Sequence, residues 1–170
     1  PKEEAWGVKI NAALDKAVKA IRDIKEISSG LRPSVLDHLG LVPALKELCH
    51  IMSQQAGVHI DFFCRKRIWG LGAEKEVAIY RIVQEALTNV VKHSRARKGF
   101  VSLTKKEGVV SVSIEDDGVG FEKRDSDGFD IWNKELGLLI MEERAIQLGG
   151  RFRVESSVGA GTTLLAEIPL

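Results

Sequence analysis

VVSVSIEDDGVGF, residues 109–121, alternates apolar and polar side chains and then sets two aspartates against two glycines. Successive side chains of a strand point to opposite faces. Val110, Val112, Ile114 and Asp116 therefore share one side, and Ser111, Ser113, Glu115 and Asp117 share the other, wet side. Asp116 continues the apolar face and enters the region between sheet and helices, where a carboxylate is costly without a partner. Asp117 stays in water and needs no special account. Gly118 and Gly120 permit positive φ and let the backbone approach a bound group closely. A plainer alternative stands beside this: a β-turn in which Asp and Gly serve backbone geometry alone.

Working outward, FVSLTKK (100–106) reads as a strand joined to the first by a tight Glu107–Gly108 turn. VHIDFFC (58–64) is another strand, and RFRVESS with TTLLAEIPL forms a closing hairpin. Helical spacing covers about 74–93, a segment after Pro43, and GLLIMEERAIQL. This order predicts an α+β, two-layer sandwich: a mixed, mostly antiparallel sheet with helices on one face. Ahead of it, Ile10, Leu14, Ala17, Ile21, Ile24, Ser28 and Leu31 recur at alternating spacings of four and three, a heptad seam that needs a partner helix. The expected division is residues 1–34 as a dimerisation helix and 35–170 as the main domain. The half-seam predicts weak self-association.

Composition is that of an ordinary soluble protein, 44% hydrophobic and 29% charged, with a net charge of +1. Nothing in it calls for nucleic acid or a membrane surface. No apolar run nears the roughly 20 residues of a span, and the charged start is no secretory signal. Cys49 and Cys64 read as reduced packing thiols, which fits a cytoplasmic location.

On the 74–93 helix, Ile79, Val83, Ala86 and Val90 share a face widened by Tyr80, Leu87 and Val91. Arg81, Glu85, Asn89 and Lys92 fall in a narrow arc opposite, with His93 at its edge. That arc is either a solvated face with an Arg81–Glu85 pair, or a carboxylate, a carboxamide and an ammonium arranged for a metal–phosphate group. Asp116, buried, suits an exocyclic amine such as that of adenine, since a base without the amine leaves an unpaired acceptor at about 1–3 kcal/mol. Glu135-Leu-Gly-Leu is expected to open the last helix, its amides facing phosphate oxygens. Gly159-Ala-Gly-Thr-Thr is a further glycine site or only a turn.

EALTNVVKHS, IEDDGVGF, LGLLIMEERAIQLGG and GAGTT, in this order, resemble the ATP-binding domain of sensor histidine kinases, the Bergerat fold shared with gyrase-type and heat-shock-chaperone ATPases. LRPSVLDHLGL resembles the junction of the nitrate-sensor-like subfamily. The resemblance implies ATP and Mg²⁺ as cofactors. It implies Glu85 as the residue that polarises the nucleophile, Asn89 as the Mg²⁺ ligand and Lys92 as a phosphate contact, with His93 among the nucleotide-binding residues. Asp116 would read adenine. Gly118 and Gly120 would form the first glycine box, Gly137 and Leu138 the second, and Gly161 and Thr162 the last. Residues 122–134 would be a mobile lid.

Two departures accompany it. Glu135 stands where the family often has glycine. None of His38, His50, His59 and His93 is followed by an acidic residue, as the phosphoacceptor usually is. The chain therefore resembles a kinase cut just after its acceptor helix, with γ-phosphoryl transfer to a histidine outside it. Implied partners are that missing helix, a second copy in the full protein, and a response regulator, with no direct membrane contact. The alternatives are a degenerate nucleotide domain serving as an interaction module, or a related serine kinase or chaperone-type ATPase.

Overall fold

The chain's computed structural model describes residues 32–65, 68–122 and 129–170. The heptad seam and residues 123–128 of the expected lid lie outside the described residues. Helix α1 (Ser34–Leu39) passes into α2 (Leu41–Ala56) through Gly40 at φ 74. Pro43 is accommodated in the first turn of α2, where a missing N–H has no intrahelical duty. Gly57 ends α2 in the left-handed conformation.

The rest runs β1 (His59–Cys64), α3 (Ala73–Asn89), a π-helical turn (Val90–Ser94), β2 (Lys98–Lys106), β3 (Val109–Asp116), α4 (Phe129–Gln147), β4 (Arg151–Ser156) and β5 (Thr162–Pro169). The sheet order is β1-β2-β3-β5-β4, with β1 parallel to β2 and every other neighbour antiparallel. Glu107 and Gly108 both take positive φ, 49° and 78°, as a two-residue hairpin turn requires. This is the expected mixed, mostly antiparallel sheet, and the buried side chains place its helices on one face.

Strand alternation sorts β3 as read from sequence. Val110, Val112 and Ile114 are buried, Glu115 is exposed, and Asp116 is half-buried at the strand's end. They pack with Val101 and Leu103 of β2 and Leu164, Ala166 and Ile168 of β5 beneath α3 and Met141 of α4. The apolar face of α3 is wider than expected. Ile82 is fully buried with Ile79, Val83 and Leu87, because α3 packs against both α2 and α4. Neither cysteine is in a disulfide, and burial pushes the Cys49 thiol up to about 12.

Two element boundaries correct the sequence reading. The helix expected to run to residue 93 is α-helical only to Asn89 and then widens into the π turn. Helix α4 begins at Phe129, six residues before Glu135, so part of the expected lid is helical.

Candidate functional site

The ends of β3 and β5, the close of α3 and the middle of α4 enclose a cavity of about 40 Å³. Of the residues singled out in the sequence, Asn89, His93, Asp116, Gly120, Leu138 and Thr162 line it. Ala86, Val90, Ile114, Phe121 and Leu164 supply apolar walls. The volume holds a few waters.

Asp116 reaches this cavity through register as well as phase. Gly99, Asp116, Thr162 and Ser156 are successive partners across β2, β3, β5 and β4. The Asp116 Oδ1 accepts the Gly118 N–H at 2.8 Å, which folds the chain into a turn just past the strand.

The π turn decides what happens to the polar stripe. Its i→i+5 ring is wider than an α turn and rotates each residue through a smaller angle. Lys92 is thereby carried off the Asn89 side and is exposed, while His93 remains on it and lines the cavity. The structure therefore does not place Lys92 on the cavity wall. Ser94 closes the turn: its Oγ donates to the Val90 carbonyl at 2.6 Å and accepts the Ala96 N–H at 2.9 Å. Its own carbonyl accepts the Val119 N–H at 2.8 Å, fastening the loop after Asp116 to the end of the helix.

Glu85, one turn before Asn89, is half-buried and faces α4. A methyl group at Gly137 would lie 2.7 Å from Glu85 Oε1 and 3.4 Å from Asn89 Nδ2. The polar stripe is thus a helix crossing rather than an open solvated face. Because α4 starts at Phe129, Gly137 and Leu138 lie inside the helix, where amides have intrahelical partners. The expected helix N-terminus at Glu135, with free amides for phosphate, is not formed in this arrangement.

The glycines also differ from expectation. A Cβ at Gly118 would lie 2.6 Å from both Asp116 Oδ1 and Ser94 Cβ, and one at Gly120 would collide with the Ser157 carbonyl. A Cβ at Gly161 would collide with the Asp116 carbonyl. What they clear is chiefly the chain's own backbone, so the two loops interlock; Gly120 alone of the three also borders the cavity.

Two residues escaped the sequence reading. Asp117 is exposed, yet its Oδ1 accepts the N–H groups of Arg97 and Lys98, each at 2.8 Å. Those two donors, Lys98 first, hold its carboxyl below the usual range. Ser156, half-buried, has an Oγ that accepts the Phe121 N–H at 2.9 Å and donates to the Gly161 carbonyl at 2.9 Å. Strand alternation in β4 could have found it, since Phe152, Val154 and Ser156 share the inward side.

Among the described residues no three His, Cys, Asp or Glu side chains converge as a metal cage. Among them, too, no helix is long and apolar enough to cross a membrane. A divalent ion at Asn89 would therefore need ligand phosphates for most of its oxygens, the usual manner of Mg²⁺.

Residues 74–170 match the family model described as histidine kinase-, DNA gyrase B-, and HSP90-like ATPase. The chain belongs to this family. It is 37% identical over 160 residues to the sensor histidine kinase MctS of Rhizobium johnstonii, covering 92% of this chain and 34% of MctS. It is 33% identical over 152 residues to the oxygen sensor histidine kinase NreB of Staphylococcus carnosus, covering 89% of this chain and 43% of NreB. The chain thus spans less than half the length of these relatives. In fold it is similar to the ATP binding domain of PrrB from Mycobacterium tuberculosis, with a TM-score of 0.58 at 22% identity over 75% of this chain and 92% of that one. The matched segment is the ATPase domain of this family, similar to the corresponding part of sensor histidine kinases, and α3, β3, α4 and the β4–β5 hairpin are its framework.

Proposed function

We propose that this domain binds ATP with Mg²⁺ at the cavity beside Asp116 and transfers the γ-phosphoryl group to a histidine carried outside residues 33–170. The observation that carries this reading is the register that sets Asp116 next to Thr162 on a cavity walled by Asn89 and His93. Asp116 accepts from the base's amine, and Ile114, Val90 and Leu164 exclude water from its faces. Asn89 holds the ion, which when bound offsets phosphate charge. His93 lies toward the phosphates, and Lys92 reaches them from outside the cavity. Gly118, Gly120 and Gly161 hold the binding loops in place, while Leu138 closes the cavity from α4 and Gly137 lets α4 approach Glu85. Glu85 orients the incoming imidazole. Catalysis is then positioning plus charge neutralisation. In the full protein the partners are a second copy, an acceptor helix and a response regulator, and the domain works in the cytoplasm.

Titration calorimetry with ATP·Mg²⁺ tests the reading. The parent chain binds, and Asp116→Asn weakens binding by roughly tenfold or more, the loss of one strong hydrogen bond. Equal affinity in the two proteins would sink it.

The passage of α4 across Glu85 favours a second reading, a domain that regulates or dimerises without turnover. ATP binding with no phosphoryl transfer to a supplied acceptor helix would select it.

A further inference from the structure

Ser156 has one hydroxyl hydrogen and three polar neighbours. Its Oγ accepts the Phe121 N–H at 2.9 Å, donates to the Gly161 carbonyl at 2.9 Å, and lies 3.0 Å from Thr162 Oγ1. A hydroxyl offers one donor and two acceptor positions. With its hydrogen on Gly161, Ser156 can only accept from Thr162. The Thr162 hydrogen therefore points at Ser156, and whatever Thr162 offers the cavity is an acceptor.

We infer that Ser156 is a specificity-determining positioning residue: by holding the Thr162 hydrogen, it makes the polar edge of the cavity formed by Asp116 and Thr162 an acceptor-only edge. This rests on the cavity being the base pocket. Asp116 and Thr162 are register partners on adjacent strands and both line that cavity. The two hydrogens of an exocyclic amine satisfy such an edge, directly or through one water. A 6-keto base presents an oxygen there instead, and lone pairs face lone pairs. Without Ser156 the Thr162 hydroxyl turns freely and can donate to that oxygen, so the keto base gains while the amino base does not. The discrimination belongs to the pair of hydroxyls as much as to the aspartate.

The experiment compares ATP with inosine triphosphate, its 6-keto analogue, by titration calorimetry on the parent chain, Ser156→Ala and Ser156→Thr. The parent prefers ATP. Ser156→Ala narrows the ratio of the two dissociation constants by roughly tenfold, the worth of one hydrogen bond. Ser156→Thr keeps a hydroxyl and keeps the ratio. A purely structural role would weaken both nucleotides alike, and that result, or an unchanged ratio, overturns the inference. Should Ser156→Ala fail to melt cooperatively, Thr162→Val decides: a narrowed ratio supports the inference and the parent's ratio overturns it. A parent chain that binds no ATP, or an Asp116→Asn protein that binds it equally well, removes the base-pocket reading and the inference together. Asp116-dependent binding with an unchanged ratio in Ser156→Ala removes the inference alone.

Discussion

Gly137 of α4 faces the Glu85 carboxylate of α3 so closely that a methyl group at 137 would lie 2.7 Å from Glu85 Oε1. The obstacle is the far end of a flexible side chain, and alanine favours a helix interior over glycine by about 1 kcal/mol. Gly137→Ala is therefore expected to fold with equal or higher stability while swinging Glu85 aside. Phosphoryl transfer to a supplied acceptor helix should fall about a hundredfold, the lower end of what a positioned acid–base group contributes. A melt and a transfer assay on the same preparation check both halves; a destabilised but fully active variant contradicts both.

Gly161→Ala should behave in the opposite way. Gly161 sits at φ 78, and its Cβ would collide with the Asp116 carbonyl, a backbone atom that cannot turn aside. The left-handed strain of about 1–2 kcal/mol adds to that collision, so the loss in urea unfolding should exceed about 2 kcal/mol. Gly108→Ala is the control: the same φ of 78, but nothing within 4 Å. It should show the strain without the collision.

Asp117 binds two backbone N–H groups through one oxygen, so Asp117→Asn should keep most of the parent's Tm and Asp117→Ala should lower it. The pH dependence follows from the depressed carboxyl. Its stabilisation is present above the unfolded carboxylate range and is lost as pH falls through the lower folded value. The Tm gap between parent and Asp117→Ala should therefore narrow in acid, where the neutral carboxyl accepts only as strongly as Asn does. A gap that stays unchanged there would show that the carboxylate charge is not involved.

Cys49 gives a prediction at the other end of the pH scale. Its thiol is raised from 9.0 to about 12 by burial, so it stays neutral in the folded chain. The unfolded chain ionises first, and stability is lost progressively as pH rises from about 9 toward about 12. At pH 8 a thiol reagent should label Cys49 only after unfolding. Rapid native labelling of Cys49 would contradict its burial.

What the sequence revealed depends on whether a local period carried the information. Alternation placed Val110, Val112, Ile114 and Asp116 correctly because a period of two survives wherever the strand pairs. The same alternation in Phe152, Val154 and Ser156 is equally readable, but a serine at a strand's end carries no mark of what it bonds. The π turn left no such mark. Nothing in VVKHS distinguishes it from an α turn, so the turn that carries Lys92 away from Asn89 is not readable there. The start of α4 was misplaced because charged, glycine-bearing EKRDSDGFDIWNKE has the composition of a loop. The interlock of Gly118, Gly120 and Gly161 with distant carbonyls is nonlocal, and glycine alone does not say what it makes room for.

The two strands at the margins of the sheet bear on how this domain behaves among copies of itself. β4 turns Arg151, Arg153 and Glu155 outward, and β1 turns out His59 and Asp61 beside Phe63. Charge along an unpaired margin repels the approach of another strand. These charges thus guard both margins of the described five-stranded sheet against edge-to-edge growth. Replacing Arg151 and Arg153 with valine would remove that guard and turn β4 into a template for intermolecular pairing.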